Sequence, residues 1–372
     1  MRNPFRRANL ATEGVAMYSE EGSPPEMREI AKTDTSDYLN FDRIVQTKGY
    51  RIYREMKYDD QVKFCLFYKK LLILSAGWKI IPYDESEAAL NVKTFVEDVI
   101  SSMSKSFFSI LYQFLSAFDF GFSVGELIWD RTKDGKYVIR NIKVKPPWEI
   151  EFEFDEYGNL SQLWINNEKM PIPKFVIYSF MEQFGNIRGE ADLKAAYSGW
   201  WLKQNIWKFW KRHFERFGSP IVKGHVPPGA TKEEQDKFFS LINRIHHLTG
   251  IMLPRNRTGE EFDFEIVETK REGSSAFVEA MTVADEKIAR ALLIPRLFGG
   301  TKESFGSYAL GREQFDIVYK SLNYIGNAFA EEVINRQVFK PLVDYNFAPA
   351  QRFYPRMVFN EITRETAEGM LR

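Results

Sequence analysis

Residues 189 to 217 (GEADLKAAYSGWWLKQNIWKFWKRHFERF) contain no proline and read as one helix, roughly 40 Å long at 1.5 Å rise per residue. A helix of that length outruns a small globular core, so it must find packing partners along most of its course. Ala196, Trp200, Trp207, Trp210, Phe214 and Phe217 fall on one stripe, and Gln204, Lys208, Lys211, Arg212, Glu215 and Arg216 fall on another. The spacing predicts packing of the aromatic stripe against neighbouring helices, with the basic stripe left to solvent, partners or phosphates. Stacking of these tryptophans on bases, as single-strand binders do, is the weaker reading.

The whole chain, 372 residues, is long enough for two or three packed units, and its 44% hydrophobic content supplies their cores. Lys plus Arg (51) balances Asp plus Glu (51), so any contact with nucleic acid must be local rather than a general basic surface. Cys65 is the one cysteine; it forms no intrachain disulfide, and a reducing compartment fits. The first residues have no apolar core of signal-peptide length, and Pro24-Pro25 with scattered charges reads as a mobile arm. The greasiest run, Phe107 to Phe120, is shorter than a membrane span and includes Gln113 and Asp119, so it is expected to be a buried helix.

Before the long helix, residues 37 to 56 and 58 to 76 predict two helices, the second carrying Tyr58, Val62, Cys65, Leu66, Lys69, Leu72 and Ile73 at helical spacing with Asp59 and Asp60 in its first turn. GWKIIPY (77 to 83) predicts a strand, and 86 to 119 two more helices split near Ser101 to Ser104. From Gly121 the period becomes two, and turns at Lys133-Asp134-Gly135, Tyr157-Gly158-Asn159 and Asn166-Asn167 predict an antiparallel meander closed by KFVIYSF.

After the long helix a small αβ insert is expected: strand GSPIVKGHVPPG, a helix capped by Thr231, and strands GIMLPRN and EFDFEIVET. A second amphipathic helix spans 274 to 294, FGGTKESFGS (298 to 307) is a glycine-bearing loop, and 308 to 340 is a further helix in which Gly311 and Gly326 invite a bend. RFYPRMVFNE is a late strand.

Catalytic chemistry is sparse. Gly121, Ser123 and Gly125 match the hydrolase elbow G-x-S-x-G, but Ser123 is followed by a strand and a hairpin instead of the helix an elbow requires. The acidic combs Glu149, Glu151, Glu153, Asp155 and Glu261, Asp263, Glu265 alternate with apolar residues as half-solvated strands do. His213, His225, His246 and His247 lack metal-site spacing, and no phosphate-cradling glycine motif is present. The residues predict no enzyme, no metal and no cofactor; a hydrolase using Ser123 and a non-viral oligomeric scaffold are the rival readings.

In order and spacing the segments resemble the bacteriophage portal family, especially its branch of Mu-like, long-tailed phages, from about residue 50 to 360. YDDQVKFCLFYKKLLILSAGWKIIP looks like that family's early helix and strand, GFSVGELIW like its sheet strand, GEADLKAAYSGWWLKQNIWKFWKRHFERFGSPIVKG like its first stem helix entering the clip, and GSYALGREQFDIVYKSLNYIGNAFAEEVINRQVFKPLVDYNF like its long helix after the tunnel loop.

The resemblance implies an α+β portal fold with a flexible arm (1–36), an α/β wing (37–188), a first stem helix (189–217), a small αβ clip insert (218–272) and a second stem helix (273–297). A tunnel loop (298–307), a long kinked helix with the last wing strand (308–360) and a short remnant of a crown (361–372) would follow. It further implies a homo-oligomeric ring, a dodecamer, in the virion at the capsid vertex, assembled in the host cytoplasm. Double-stranded DNA would pass through it without sequence preference. Its other partners would be the terminase large subunit, head-completion or tail proteins, and major capsid or scaffold protein, with no membrane. Phe298, Gly299, Gly300, Thr301, Lys302, Glu303, Ser304, Phe305 and Gly306 would line the channel. Lys203, Lys208, Lys211, Arg212 and Arg216 would meet DNA phosphates or pair with Glu279, Asp285 or Glu286 of a neighbour, and Trp200, Trp207, Trp210 and Phe214 would pack the ring.

Overall fold

The computed structural model describes residues 32, 42–217, 221–227, 229–244, 263–267, 272–294 and 308–363, with backbone alone for 216, 217, 221, 222, 243, 244, 263–267, 272–274 and 308–314. The expected arm other than Lys32, the GIMLPRN strand, the loop Phe298 to Gly306, the side chain of Arg216 and the residues after 363 lie outside that description.

In chain order the elements are α1 Arg43–Lys48, α2 Arg51–Met56, α3 Asp60–Ser75, β1 Trp78–Ile81, α4 Glu87–Ser101, α5 Phe107–Phe114, α6 Ala117–Phe120, β2 Phe122–Arg131, β3 Tyr137–Lys145, β4 Ile150–Phe154, β5 Leu160–Ile165, β6 Glu168–Met170 and β7 Phe175–Ser179. They continue as α7 Asp192–Phe217, β8 Ile221–His225, α8 Lys232–Arg244, β9 Asp263–Val267, α9 Glu272–Ala291, α10 Tyr308–Phe329, a π-helical run Ala330–Phe339, α11 Lys340–Asn346 and β10 Arg356–Phe359. The chain divides into two units. One takes the residues up to Glu55, Leu66–Lys194 and those from Tyr319; the other takes Met56–Cys65 and Ala195–Val318.

In the first unit, the helix expected across 37 to 56 is two short ones. Asp42 caps α1 by accepting from the amides of Ile44 and Val45, and Gly49, at φ +66°, ends it in the left-handed region that glycine occupies freely. Ser86 and Ser106 cap α4 and α5 on either side of the predicted split.

The strands do not form one meander. β2 is central in a β3-β2-β7 sheet, β4-β5-β6 is a separate sheet, and β1 pairs with the distant β10, all antiparallel. Pro146 and Pro147 lie between β3 and β4; lacking amide donors, they end the first ladder and let the chain start a second. The two three-stranded sheets share one core, in which Phe122, Val124 and Phe175 of the first meet Ile150, Phe152, Leu163 and Ile165 of the second.

Among the described residues of this unit two ion pairs are buried. Lys69 Nζ, fully buried and lying over the rings of Phe118 and Phe180, meets Asp192 Oδ2 at 2.7 Å; Lys70 Nζ meets Asp119 Oδ1 at 2.6 Å. Burial pushes the Asp192 carboxyl up, and Lys69 pulls it back.

The long helix after residue 308 departs from α geometry at 330, not at its glycines. Gly326 instead provides close contact, since a Cβ there would stand 3.2 Å from Ile73 Cγ2. Through Ala330–Phe339 the turns widen, and the Lys340 amide donates to the Asn335 carbonyl five residues back. Four side-chain amides between 323 and 346 bond the backbone of a strand, or of the segment after one, as a paired strand would. Gln337 accepts from the Ile177 amide (2.8 Å) and donates to its carbonyl (2.7 Å). Asn346 does the same at Tyr137, Asn335 at Met357 and Asn323 at Ile362. Ile177, Tyr137 and Met357 belong to β7, β3 and β10, so these amides occupy hydrogen-bonding groups that would otherwise be open for strand addition.

In the second unit, β8 and β9 pair antiparallel, and α8 lies on them where Gly224 leaves room: a Cβ there would meet Ile242 Cδ1 at 2.3 Å. Glu234 Oε2 accepts from both the amide and the hydroxyl of Thr231, closing the start of α8. We expect Gln337→Met to leave the Ile177 amide and carbonyl without partners and to lower the unfolding free energy by about 1–3 kcal/mol for each group, measured by urea denaturation.

Candidate assembly surface on the long helix

Helix α7, 26 residues from Asp192 to Phe217, is long because nothing between those residues breaks it. Its inward side in the second unit is Ala196, Gly199, Lys203, Ile206 and Trp210. Ala196, Lys203 and Ile206 are buried, and at Gly199 a Cβ would stand 3.1 Å from the Ala284 carbonyl oxygen and from Ile288 Cγ1 of α9. Trp210 stacks on Phe277 of α9 at 6.1 Å, and on its own helix between Trp207 (5.2 Å) and Phe214 (5.6 Å).

Lys203 does not stand on the basic stripe and is not the phosphate or neighbour contact expected of it. Its ammonium is buried among three carboxylates of its own chain: Asp60 Oδ1 at 2.7 Å, Asp285 Oδ1 at 2.8 Å and Asp59 Oδ2 at 3.1 Å. Asp285 was an expected partner, but the pair closes within one chain. Asp59 also accepts from the amides of Gln61 and Val62, so the carboxylate that opens α3 also anchors α7. Burial pulls the Lys203 pKa down, and the hydrogen bonds it donates to Asp285 and Asp60 with the charge of Asp59 more than offset it, leaving it raised. The Lys203 hydrogen bond holds Asp60 low, whereas burial pushes Asp285 up against the pull of the same lysine.

The other predicted residues divide by exposure. Trp207 and Phe214 are half exposed, Trp200 is partly buried beside Tyr197 (6.0 Å), and Trp210 is the one most enclosed by other rings. Lys208, Lys211 and Arg212 are exposed, Lys211 with a loose 3.8 Å contact to Glu215. Trp201 and Phe209, which belong to neither predicted stripe, are 52% and 59% exposed, so apolar surface also stands on the wet side of the helix.

Ser123 is not an elbow nucleophile. It is the second residue of β2, opposite Tyr178, is 2% exposed, and donates its hydroxyl to the Phe114 carbonyl at 2.8 Å. The flanking glycines answer to packing: a Cβ on Gly121 would stand 2.4 Å from the Arg188 carbonyl oxygen, and one on Gly125 2.4 Å from Phe114 Cζ. Among the described residues no cluster of His, Cys, Asp and Glu is arranged to hold a metal ion, and no helix is long and apolar enough to cross a membrane.

The mixed architecture is shared with proteins of particle necks. The chain matches one in the neck of an empty gene transfer agent particle computed with C6 symmetry (13% identity, TM-score 0.57, covering 93% of this chain and 89% of that one). It also matches one in the neck of the native particle computed with C12 symmetry (13% identity, TM-score 0.57, covering 90% and 87%). At that identity the likeness is one of fold. In sequence, residues 50–371 match the family described as portal protein of Mu bacteriophage, and the chain belongs to that portal family. It is also 26% identical over 195 residues to Mu-like prophage FluMu protein gp29 of Haemophilus influenzae; the match takes in 48% of this chain and 36% of the relative, so it spans about a third of that relative's length.

Lys203→Met leaves three carboxylates without their shared cation and is expected to cost about 3–5 kcal/mol. Because the folded pKa of Lys203 is raised, its contribution is fully present below its unfolded value of 10.5 and is lost only as pH rises through the higher folded value. Urea titrations of both proteins at pH 7 and pH 10 are therefore expected to show the same gap. Asp60, held below 3.8, contributes above that value, and its contribution fades as pH falls through the lowered one. Gly125→Ala, which forces Phe114 to move, is expected to lower the unfolding free energy by about 1–3 kcal/mol in the same assay.

Proposed function

We propose that this chain is one subunit of a homo-oligomeric ring, a dodecamer, at a capsid vertex, forming the channel through which double-stranded DNA is packaged and ejected. The observation that carries this reading is the portal-family match running through residues 50–371, which includes both units of the fold. The half-exposed Trp207 and Phe214 support it, because a helix that leaves large aromatic rings uncovered in one copy has apolar area to bury in an assembly.

In this reading most of the first unit belongs to the wing, α7 and α9 are the stem, and β8, α8 and β9 belong to the clip. The wing takes 37–188 with 308–360, the stem 189–217 and 273–297, the clip 218–272, and the loop 298–307 narrows the channel. DNA is held by phosphate contacts alone, since a channel that read base edges would grip particular sequences and stall. Lys208, Lys211, Arg212, Arg216 and Lys302 are the candidates for phosphate or neighbour contacts. The terminase large subunit and head-completion or tail proteins dock on the ring, capsid or scaffold protein surrounds it, and assembly takes place in the host cytoplasm. The chain's role is structural.

The test is electron microscopy of the purified protein, with class averages viewed down the particle axis. Closed rings with a central channel wide enough for duplex DNA are expected; persistent monomers, open filaments or solid particles would overturn the proposal.

A further inference from the structure

Helices α7 and α9 lean on each other with one side each, through Gly199 against Ala284 and Ile288, Lys203 against Asp285, and Trp210 against Phe277. These contacts make the pair antiparallel and fix its register. Lys208, two residues before Trp210, is level with Glu279, two residues after Phe277. Trp201, nine residues before Trp210, is level with Glu286, nine residues after Phe277.

The sides turned away from this contact are matched to each other. On α7, Trp201, Lys208 and Arg212 recur at i, i+7 and i+11, all exposed. On α9, Glu279, Val283 and Arg290 recur at i, i+4 and i+11, also exposed, with Glu286 on the same side and partly exposed. Among the described residues Lys208, Arg212 and Glu279 have no ion pair. One side offers cations and an indole; the other offers carboxylates, a valine and an arginine.

Cyclic symmetry supplies the register. A rotation about a ring axis carries each residue to the next copy without changing its height, so helices running near that axis meet their neighbours at the levels they already share within one chain. Each stem helix would then have its own partner on one side and a neighbour's helix on the other.

We propose that the outward side of α7 in one copy docks on the outward side of α9 in the next. Lys208 stands level with Glu279 with Arg212 one turn further along, and Trp201 reaches the level of Glu286 with Arg290 one turn beyond, close enough for its guanidinium to lie on the indole. The proposal rests on the ring reading above and adds the partner surface, its register and the residues that set its specificity.

The test uses the full chain and mass photometry at one fixed protein concentration. Unmodified protein is expected to form closed rings; if it does not, the ring reading itself fails. Given those rings, Lys208→Glu and Glu279→Lys should each lower the ring fraction at least about tenfold by setting like charges opposite each other at every interface, and the double variant should recover most of it. A second measurement is independent of charge. Lys208→Cys with Glu279→Cys, mildly oxidised, should give a ladder of covalent oligomers on non-reducing gels, and neither single variant should; native Cys65 is buried. Rings that assemble unchanged with Lys208→Glu, or assembled double-cysteine rings that yield no ladder, would overturn the docking and leave the basic side of α7 to DNA.

Discussion

Taking the Lys203 ammonium out of water costs several kcal/mol, and only closely placed carboxylates return it. In the second unit they come from two places, the first turn of α3 (Asp59 and Asp60) and the middle of α9 (Asp285). One side chain of α7 therefore fixes two other helices at once, and Gly199, one turn earlier, lets α9 approach to backbone contact. The antiparallel register set at these points decides which residues of the two helices stand level on their outer sides, and so what a neighbouring copy would meet. A misplaced Lys203 would cost the ion pairs and also shift every level along the pair.

Much of this was legible in the residues, and the misses have identifiable physical causes. The continuity of α7, the elements β8, α8 and β9, the position of Thr231 at the start of α8 and the split before Ser106 followed from local chemistry. Lys203 was misassigned because its charge outweighed its position; it lies one turn from Gly199, one from Ile206 and two from Trp210, on the side that packs. Asp59 and Asp60 were placed in a helix start, as they are, but their second use on α7, from 143 residues or more away in sequence, has no local signature. Lys69 was counted on an apolar stripe and is indeed inside, held by Asp192. The period-two pattern found the strands but not their division into sheets, which turns on Pro146 and Pro147. The bend expected at Gly311 or Gly326 is instead a widening that begins at Ala330, set by amides seeking strand backbone.

Those amides show how a polar helix side can serve a sheet. Asn323, Asn335, Gln337 and Asn346 each offer a donor and an acceptor at the spacing of a peptide group, and each closes on one residue of a strand or of the segment following it. A wider helical turn around Asn335 and Gln337 lets neighbouring side chains reach β10 and β7 from one segment. The same side chains in a regular helix on the surface would be unremarkable polar residues, which is why the sequence alone does not mark them.

The pairing of β1 with β10 joins Trp78 to Phe359. During synthesis the first strand emerges long before its partner exists, so this two-stranded sheet closes only when nearly the last segment of the described chain has been made. Until then the row of backbone groups on β1 has no mate, and the apolar residues beneath it lack their cover. The order in which the ribosome delivers these strands thus acts as a timer: chains still being made stay unfinished at this edge until β10 arrives.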